Sequence, residues 1–239
     1  MRTLPELTDV PDPAWPLLLR ECAGSPAAPE VLTGDPAQGA ACLLQLQVTA
    51  RSYLGAMALN CGGLRFGGGW LRVYGGAGGA GLPGLAEVNG FPTEVDPAWR
   101  PDDALVLGHD VLGGVFALNG PDPAALGRPG APGQVRYLAP DTLEWEALEM
   151  GHGAWLGWLL SGAVDSFYQG LRWPGWQQET AALSPDQGIT VYPFLWSKEA
   201  RADLAGTTRR PARMAELLGI TAEFCAQFGL PDPGFLGRV

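Results

Sequence analysis

Apolar positions in the first part of the chain recur at helical spacing. The run from Trp15 to Cys22 places its apolar side chains on one face of a short helix. Asp35 followed by Pro36 is typical of a second helix start, because aspartate caps the first amides and proline fits the first turn. We therefore predict a helical N-terminal part over residues 3–47.

Between residues 54 and 147 the pattern changes to short apolar stretches separated by glycine-rich turn signals. Stretches of this length at hairpin spacing are typical of antiparallel strands. The predicted strands are 54–59, 64–66, 70–74, 104–109, 114–119, 134–139 and 143–147. This part is therefore predicted to form the sheet core.

Residues 152–228 return to a helical pattern. The predicted helices are 152–160, 165–171, 173–183 and 214–228, with one further strand at 189–194. Helices segregated around an antiparallel sheet define an α+β fold. We predict a single domain over residues 1–239, in which N- and C-terminal helices flank a central antiparallel sheet of short, hairpin-connected strands.

Composition and charge narrow the classes of function. The chain has 239 residues and a net charge of −10, so it lacks the cationic footprint that nucleic acids and anionic membranes require. No apolar run approaches the roughly 20 residues that span a bilayer, and the first residues do not resemble a signal peptide. The four cysteines are widely spaced, which predicts reduced, buried thiols in a cytoplasmic protein.

A glycine-rich loop and two histidines are the candidate cofactor sites. Residues 76–81 match G-x-G-x-x-G, but Leu82-Pro83-Gly84 breaks the helix that a dinucleotide site needs. The two histidines form no cluster at metal-ligand spacing. We therefore predict no cofactor and no metal.

His109, Asp110 and His152 support an enzymatic alternative. A Ser–His–acid arrangement can assemble across a fold, so a hydrolase of unknown substrate that uses these residues stays open. The structural interpretation is that His109 ends a strand and Asp110 opens its turn. The sequence has no G-x-S-x-G motif, and we predict that the protein is not an enzyme.

Two further groups of residues are candidates for contact with a partner. Glu144 and Glu146 share one face of a strand, with Asp141 in the preceding turn and Trp145 on the other face. The structural interpretation, which we favour, is a solvated acidic face over a core tryptophan; the functional one is an acidic surface for a basic protein. Arg172, Trp173 and Trp176 form an aromatic cluster. If buried, this cluster packs the core; if exposed, it could anchor a partner or stack on the rings of a carbohydrate.

Several strings in the chain resemble a bacterial family, domain of unknown function 2625, over roughly residues 3–228. The strings are Asp12-Pro13-Ala14-Trp15-Pro16, Gly69-Trp70-Leu71-Arg72, Asp110-Val111-Leu112-Gly113-Gly114, Phe116-Ala117-Leu118-Asn119-Gly120, Ala139-Pro140-Asp141-Thr142-Leu143-Glu144-Trp145-Glu146, Phe167-Tyr168 and Leu171-Arg172-Trp173. Residues 104–162 are also similar to the core of the SUKH superfamily, which includes bacterial toxin-immunity proteins. This second resemblance implies an α+β protein-binding module and brings no catalytic residue.

These observations together predict a non-enzymatic protein-interaction module, and the resemblance to the SUKH superfamily implies the toxin-immunity type. It would bind a protein partner, a basic one, through Asp141, Glu144 and Glu146, with Arg172, Trp173 and Trp176 as anchors. The alternatives are the hydrolase described above and a protein that binds a carbohydrate or small ligand through exposed tryptophans.

Overall fold

A seven-stranded antiparallel sheet forms the centre of this computed structural model, which describes residues 1–79, 81–96, 98–101 and 103–239. Each strand pairs with its neighbour in the chain, so the sheet order runs from β1 to β7. The strands are β1 (Glu30–Leu32), β2 (Gly63–Phe66), β3 (Leu71–Tyr74), β4 (Ala104–Asp110), β5 (Val115–Asn119), β6 (Gln134–Ala139) and β7 (Glu144–Gly151). The predicted α+β fold with a central antiparallel sheet is confirmed.

Helices surround the first strands of this sheet. They are α1 (Leu4–Thr8), α2 (Trp15–Gly24), α3 (Pro36–Leu46), α4 (Tyr53–Asn60) and the short α5 (Leu85–Val88). Asp35 caps α3 as predicted, since its carboxylate accepts a hydrogen bond from the Ala37 amide at 2.8 Å. The strand predicted over residues 54–59 is wrong. The Ser52 hydroxyl accepts a hydrogen bond from the Gly55 amide and starts α4 there, and a short apolar run fits a buried helix as well as a strand.

The C-terminal part adds more helices and a separate hairpin. The elements are α6 (His152–Leu160), α7 (Ala163–Phe167), α8 (Trp176–Ala181), β8 (Gln187–Tyr192), α9 (Lys198–Ala202), β9 (Thr208–Arg213) and α10 (Met214–Gln227). The strand predicted at 189–194 is confirmed as β8, which pairs with the unpredicted β9. The helix predicted over 173–183 is shorter, because Gly175 adopts a left-handed φ of 87° directly before α8.

The register of the strands separates two faces of the sheet. Phe116 pairs with Tyr137 across β5 and β6, and the Phe116 ring contacts α6. Successive residues of a strand point to opposite faces. Trp145 lies in the same row of paired residues as His109, so both side chains point away from α6. We call the first side the helix face and the second the tail face, because residues 230–239 cover it.

Aromatic rings fill the space between the helix face and the C-terminal helices. Trp70, just before β3, is fully buried and contacts the rings of Tyr168, Trp173 and Trp176 with centroid distances between 5.1 and 5.7 Å. Each such ring pair contributes about 0.5–1.5 kcal/mol beyond the burial of its area. These residues therefore join the C-terminal helices to the sheet.

All four cysteines are free and buried, as predicted. Burial raises the pKa of the Cys42 and Cys61 thiols to about 12. A search of the described ranges for helices with the length and apolar character of a membrane span finds none.

Candidate functional site

The edge strand β7 carries the predicted acidic residues. Glu144 and Glu146 are exposed, and Asp141 lies in the turn that joins β6 to β7. Glu146 pairs with Tyr137 and therefore projects on the helix side of the sheet, whereas Trp145 lies on the tail face. The prediction that the two glutamates share one face and the tryptophan takes the other is confirmed. No further strand pairs with β7 within the part of the chain that is described.

The three carboxylates are close enough to influence one another. Partial burial raises the pKa of Glu146, and the negative charges of Asp141 and Glu144 raise it further. A like charge destabilises an ionised carboxylate, so a cation placed among the three relieves that repulsion. We call Asp141, Glu144 and Glu146 the acidic edge.

An aromatic group that sequence reasoning missed lies on the C-terminal hairpin and on α10. We call its four residues, Phe194, Trp196, Phe224 and Phe228, the aromatic patch. Phe194 and Trp196 stack at 4.6 Å, and Phe224 lies 4.8 Å from Phe194 and 4.9 Å from Trp196. Phe228 is 54% exposed at the rim. Phe224 lies in the last turn of α10 and Phe228 directly follows the helix, so the two are four positions apart and on one side. This spacing is a signal for a shared apolar surface.

The acidic edge and the aromatic patch are neighbours. Pro140 lines a shallow groove together with Phe194, Trp196 and Ile220, and Asp141 is the next residue in the chain. The Asp141 carbonyl accepts a hydrogen bond from Arg201 Nη2 at 2.8 Å, which fixes the turn against α9. A charged rim beside a partly exposed aromatic group is the arrangement of many protein interfaces.

The other predicted anchors take part in internal contacts. Trp173 is 2% exposed and donates a hydrogen bond from Nε1 to Glu179 at 2.9 Å. The Arg172 guanidinium forms an ion pair with Asp165 at 2.8 Å and lies 4.1 Å from the ring centre of the half-buried Trp176. Packing is therefore confirmed for Trp173. Contact of this cluster with a protein or a carbohydrate stays a prediction, and the burial of Trp173 gives it no support.

Asp110 holds together a buried turn on the helix face. Its Oδ1 accepts hydrogen bonds from the amides of Leu112 and Gly114, both at 2.9 Å. Its Oδ2 accepts hydrogen bonds from the hydroxyls of Tyr137 at 2.7 Å and Tyr168 at 3.1 Å. Asp110 therefore opens its turn as predicted, and these four bonds occupy its carboxylate.

The two histidines lie apart. His109 is near the end of β4 and pairs with Val115 at the start of β5. His152 directly follows β7, whose last residue, Gly151, pairs with Gln134 at the opposite end of the strands. His109 Nε2 donates to the Leu236 carbonyl at 2.7 Å, so Nδ1 is unprotonated and accepts from the Tyr74 hydroxyl at 2.7 Å. Burial lowers the pKa of each histidine to about 4. His109, Asp110 and His152 therefore do not converge on one cleft.

The glycine-rich loop uses its amides internally. Gly76 donates to the Met57 carbonyl and Ala77 to the Cys61 carbonyl. Ala80, inside the G-x-G-x-x-G match, lies outside the described residues. Within the described ranges, no group of three or more His, Cys, Asp or Glu residues could hold a metal ion.

Comparison with known proteins assigns the chain to a family. The family model described as "Protein of unknown function DUF2625" matches residues 4–217. The chain belongs to the DUF2625 family. The acidic edge of this DUF2625 protein lies inside the matched range, as do Pro140 and the first two residues of the aromatic patch.

Two relatives support this DUF2625 assignment. A protein of Escherichia coli (strain K12), "Putative uncharacterized protein YbfG", is 38% identical over 219 residues, which cover 91% of this chain and 94% of the relative. An "Uncharacterized protein" of Haemophilus influenzae is 33% identical over 196 residues, which cover 82% of this chain and 83% of the relative. No solved structure matches this DUF2625 chain, so the similarity to the SUKH superfamily stays a prediction.

Proposed function

We propose that this DUF2625 protein is an interaction module that binds a basic protein through the acidic edge, with the aromatic patch as the apolar anchor. The observation that carries the proposal is that Pro140, directly before Asp141, lines the same groove as Phe194 and Trp196. A few buried residues, among which tryptophan is enriched, contribute most of the binding energy in protein interfaces, and charged rims direct the approach of the partner.

The position of the acidic edge on an edge strand also supports the proposal. The outer side of an edge strand presents unpaired backbone groups, which an extended segment of a partner can pair with. Glutamates along such a strand oppose self-association, because two copies would bring like charges together. The same charges favour a partner with lysine or arginine at alternate positions. The partner in this proposal is therefore a basic protein with an extended segment.

A charge-reversal experiment tests the acidic edge. The Glu144→Lys/Glu146→Lys variant is compared with wild type and with an Asp9→Lys/Glu94→Lys control, which changes the net charge equally at exposed positions elsewhere. Each immobilised protein is titrated with a peptide of alternating lysine and valine at low and high salt. We expect wild type and control to bind at low salt, and the edge variant to lose at least tenfold in affinity.

The salt dependence and the control decide the outcome. Exposed charges are screened over about 10 Å at 0.1 M salt, so electrostatic binding should weaken as salt is added. Equal binding by the edge variant and by the control variant would show that only overall charge matters, and the proposal would then be wrong. Replacing Phe228 by serine should weaken binding further at both salt concentrations, because the anchor is apolar.

A further inference from the structure

The C-terminal residues 230–239, which we call the tail, cover the tail face without forming a helix or a strand. Three side chains of the sheet region hold three backbone carbonyls of the tail. The contacts are Arg128 Nη1 to Asp232 O at 2.6 Å, Trp145 Nε1 to Pro233 O at 3.0 Å, and His109 Nε2 to Leu236 O at 2.7 Å. All three tail atoms belong to the backbone, so these contacts do not depend on the tail's side chains.

Apolar side chains of the tail add to the contact, and the Arg238 amide donates a hydrogen bond to the Val88 carbonyl at 2.8 Å. Pro233 is buried, and Leu236, three residues later, is 7% exposed. Asp232 and Gly234 beside them are exposed. The two buried apolar residues of the tail are therefore at positions i and i+3, and they add to the hydrogen bonds of its backbone.

Two glycines allow the tail backbone to approach the sheet. Gly234 has φ of 75° and Gly237 has φ of 101°, values that side chains other than glycine rarely adopt. A Cβ atom at position 234 would lie 2.8 Å from Asp103 Oδ2, and one at position 237 would lie 3.1 Å from His109 Cε1. The part of the tail that lies against the sheet, residues 233–237, therefore has the pattern Pro-Gly-x-Leu-Gly.

A charged cluster lies next to the tail and keeps unused hydrogen-bonding capacity. Asp103 Oδ2 accepts from Arg136 Nη2 at 2.7 Å and from Arg128 Nε at 3.0 Å. Arg136 is fully buried, and its guanidinium lies 4.3 Å from the ring centre of Trp145. Arg136 Nε and Asp103 Oδ1 have no hydrogen-bond partner in the described residues. The cluster is thus held by its own ion pairs, and the tail supplies only a carbonyl to it.

We infer that the tail face is a peptide-binding site that the protein's own tail occupies. Its ligand in trans is a segment of another protein with the pattern Pro-Gly-x-Leu-Gly. A segment with this pattern can offer its carbonyls to the donors of Arg128, Trp145 and His109 and can approach the sheet at its two glycines. This site lies on the opposite face of the sheet from the acidic edge, and it does not depend on the function proposed above.

The test uses the full chain with the tail released. A Gly234→Val/Gly237→Val variant places side chains against Asp103 and His109 and removes the left-handed freedom of the backbone, while every residue of the site stays intact. The probe is a fluorescein-labelled peptide with the sequence of residues 230–239, and the control peptide carries Asp at the position of Leu236. Binding is followed by fluorescence anisotropy.

We expect the released variant to bind the probe at least tenfold more tightly than wild type, since the tethered tail competes at a high effective concentration. The control peptide should bind the released variant at least tenfold more weakly than the probe. Adding Trp145→Phe to the released variant removes the indole donor and should weaken probe binding about fivefold to tenfold. If the released variant is folded but does not bind the probe, the inference is overturned.

Hydrogen exchange on the wild-type chain covers the case in which the variant does not fold. Amides of the tail that exchange faster than those of β4–β6 show that the tail opens on its own, and this supports the inference. If the tail amides exchange only through global unfolding, the inference is overturned, because the tail then cannot leave the sheet without unfolding the protein. A wild-type dimer that dissociates in the released variant also overturns it, because the tail would then exchange between copies of this chain.

Discussion

Acidification from pH 7 to pH 5 tests the burial of His109 and His152. Burial lowers the pKa of each histidine to about 4 in the folded protein, whereas an exposed histidine in the unfolded chain titrates near 6.5. The unfolded state therefore binds more protons between these values. The stabilising contribution of each neutral histidine is present above about pH 6.5 and is lost as the pH falls towards 4.

The magnitude follows from the size of the two shifts. Where the unfolded state binds one proton more than the folded state, the free energy of unfolding falls by about 1.4 kcal/mol for each pH unit of acidification. The loss from pH 6.5 to pH 5 is therefore about 2 kcal/mol for each histidine. Both histidines together account for about 4 kcal/mol, which is a large share of the stability of a typical domain. His109 has a structural reason to resist protonation, since its Nδ1 accepts a hydrogen bond from the Tyr74 hydroxyl.

Urea unfolding followed by tryptophan fluorescence at pH 7, 6 and 5 gives the measurement, with a His152→Phe variant beside wild type. The variant lacks one of the two titrations, so its stability should fall by about 2 kcal/mol less than that of wild type between pH 7 and pH 5. Carboxylate titrations are the same in both proteins and cancel in the difference. A difference that stays constant with pH would refute the reasoning, because His152 would then be open to protonation in the folded state.

Three other measurements probe the buried polar groups and the thiols. Asp103→Ala leaves the Arg136 guanidinium buried without its carboxylate, and the free energy of unfolding should fall by about 3–5 kcal/mol in urea titrations; a loss below about 1 kcal/mol would show that water replaces the carboxylate. Gly114→Ala places a methyl group against Asp110 Oδ2 and should cost about 1–3 kcal/mol, seen as a lower Tm; an unchanged Tm would contradict this packing. The four cysteines, with the pKa of Cys42 raised to about 12, should react with an aromatic disulfide reagent only after denaturant is added; rapid reaction in native buffer would show that a thiol is exposed.

The hairpins were predictable because their signals are local. Asp110 binds the amides of its own turn, so the turn between β4 and β5 is encoded in five consecutive residues. The long helix α10 was predictable for a similar reason, since its apolar period runs over several turns. In contrast, the N-terminal part predicted as helical over 3–47 also contains β1, whose three residues are too few to show a period. Strand β9 is rich in arginine and resembles a charged loop.

The site could be predicted only in part, because its halves are distant in sequence. The glutamates of the acidic edge were found from their alternation on one strand. The aromatic patch joins the segment after β8 to the end of α10, and only the folded chain brings Trp196 and Phe224 together. The bond from Trp145 to Pro233 likewise joins residues that are 88 positions apart. No local pattern carries such contacts.

The order of the strands in the large sheet equals their order in the chain, and this has a consequence for how the protein is made. Each hairpin can form as soon as its second strand has left the ribosome, because no strand must wait for a later one to separate it from its neighbour. Residues 230–239 follow every strand of this sheet in the chain and reach back to β4 and β7. A nascent chain in which the seven strands have left the ribosome before the tail therefore carries an assembled meander whose tail face is still in contact with water.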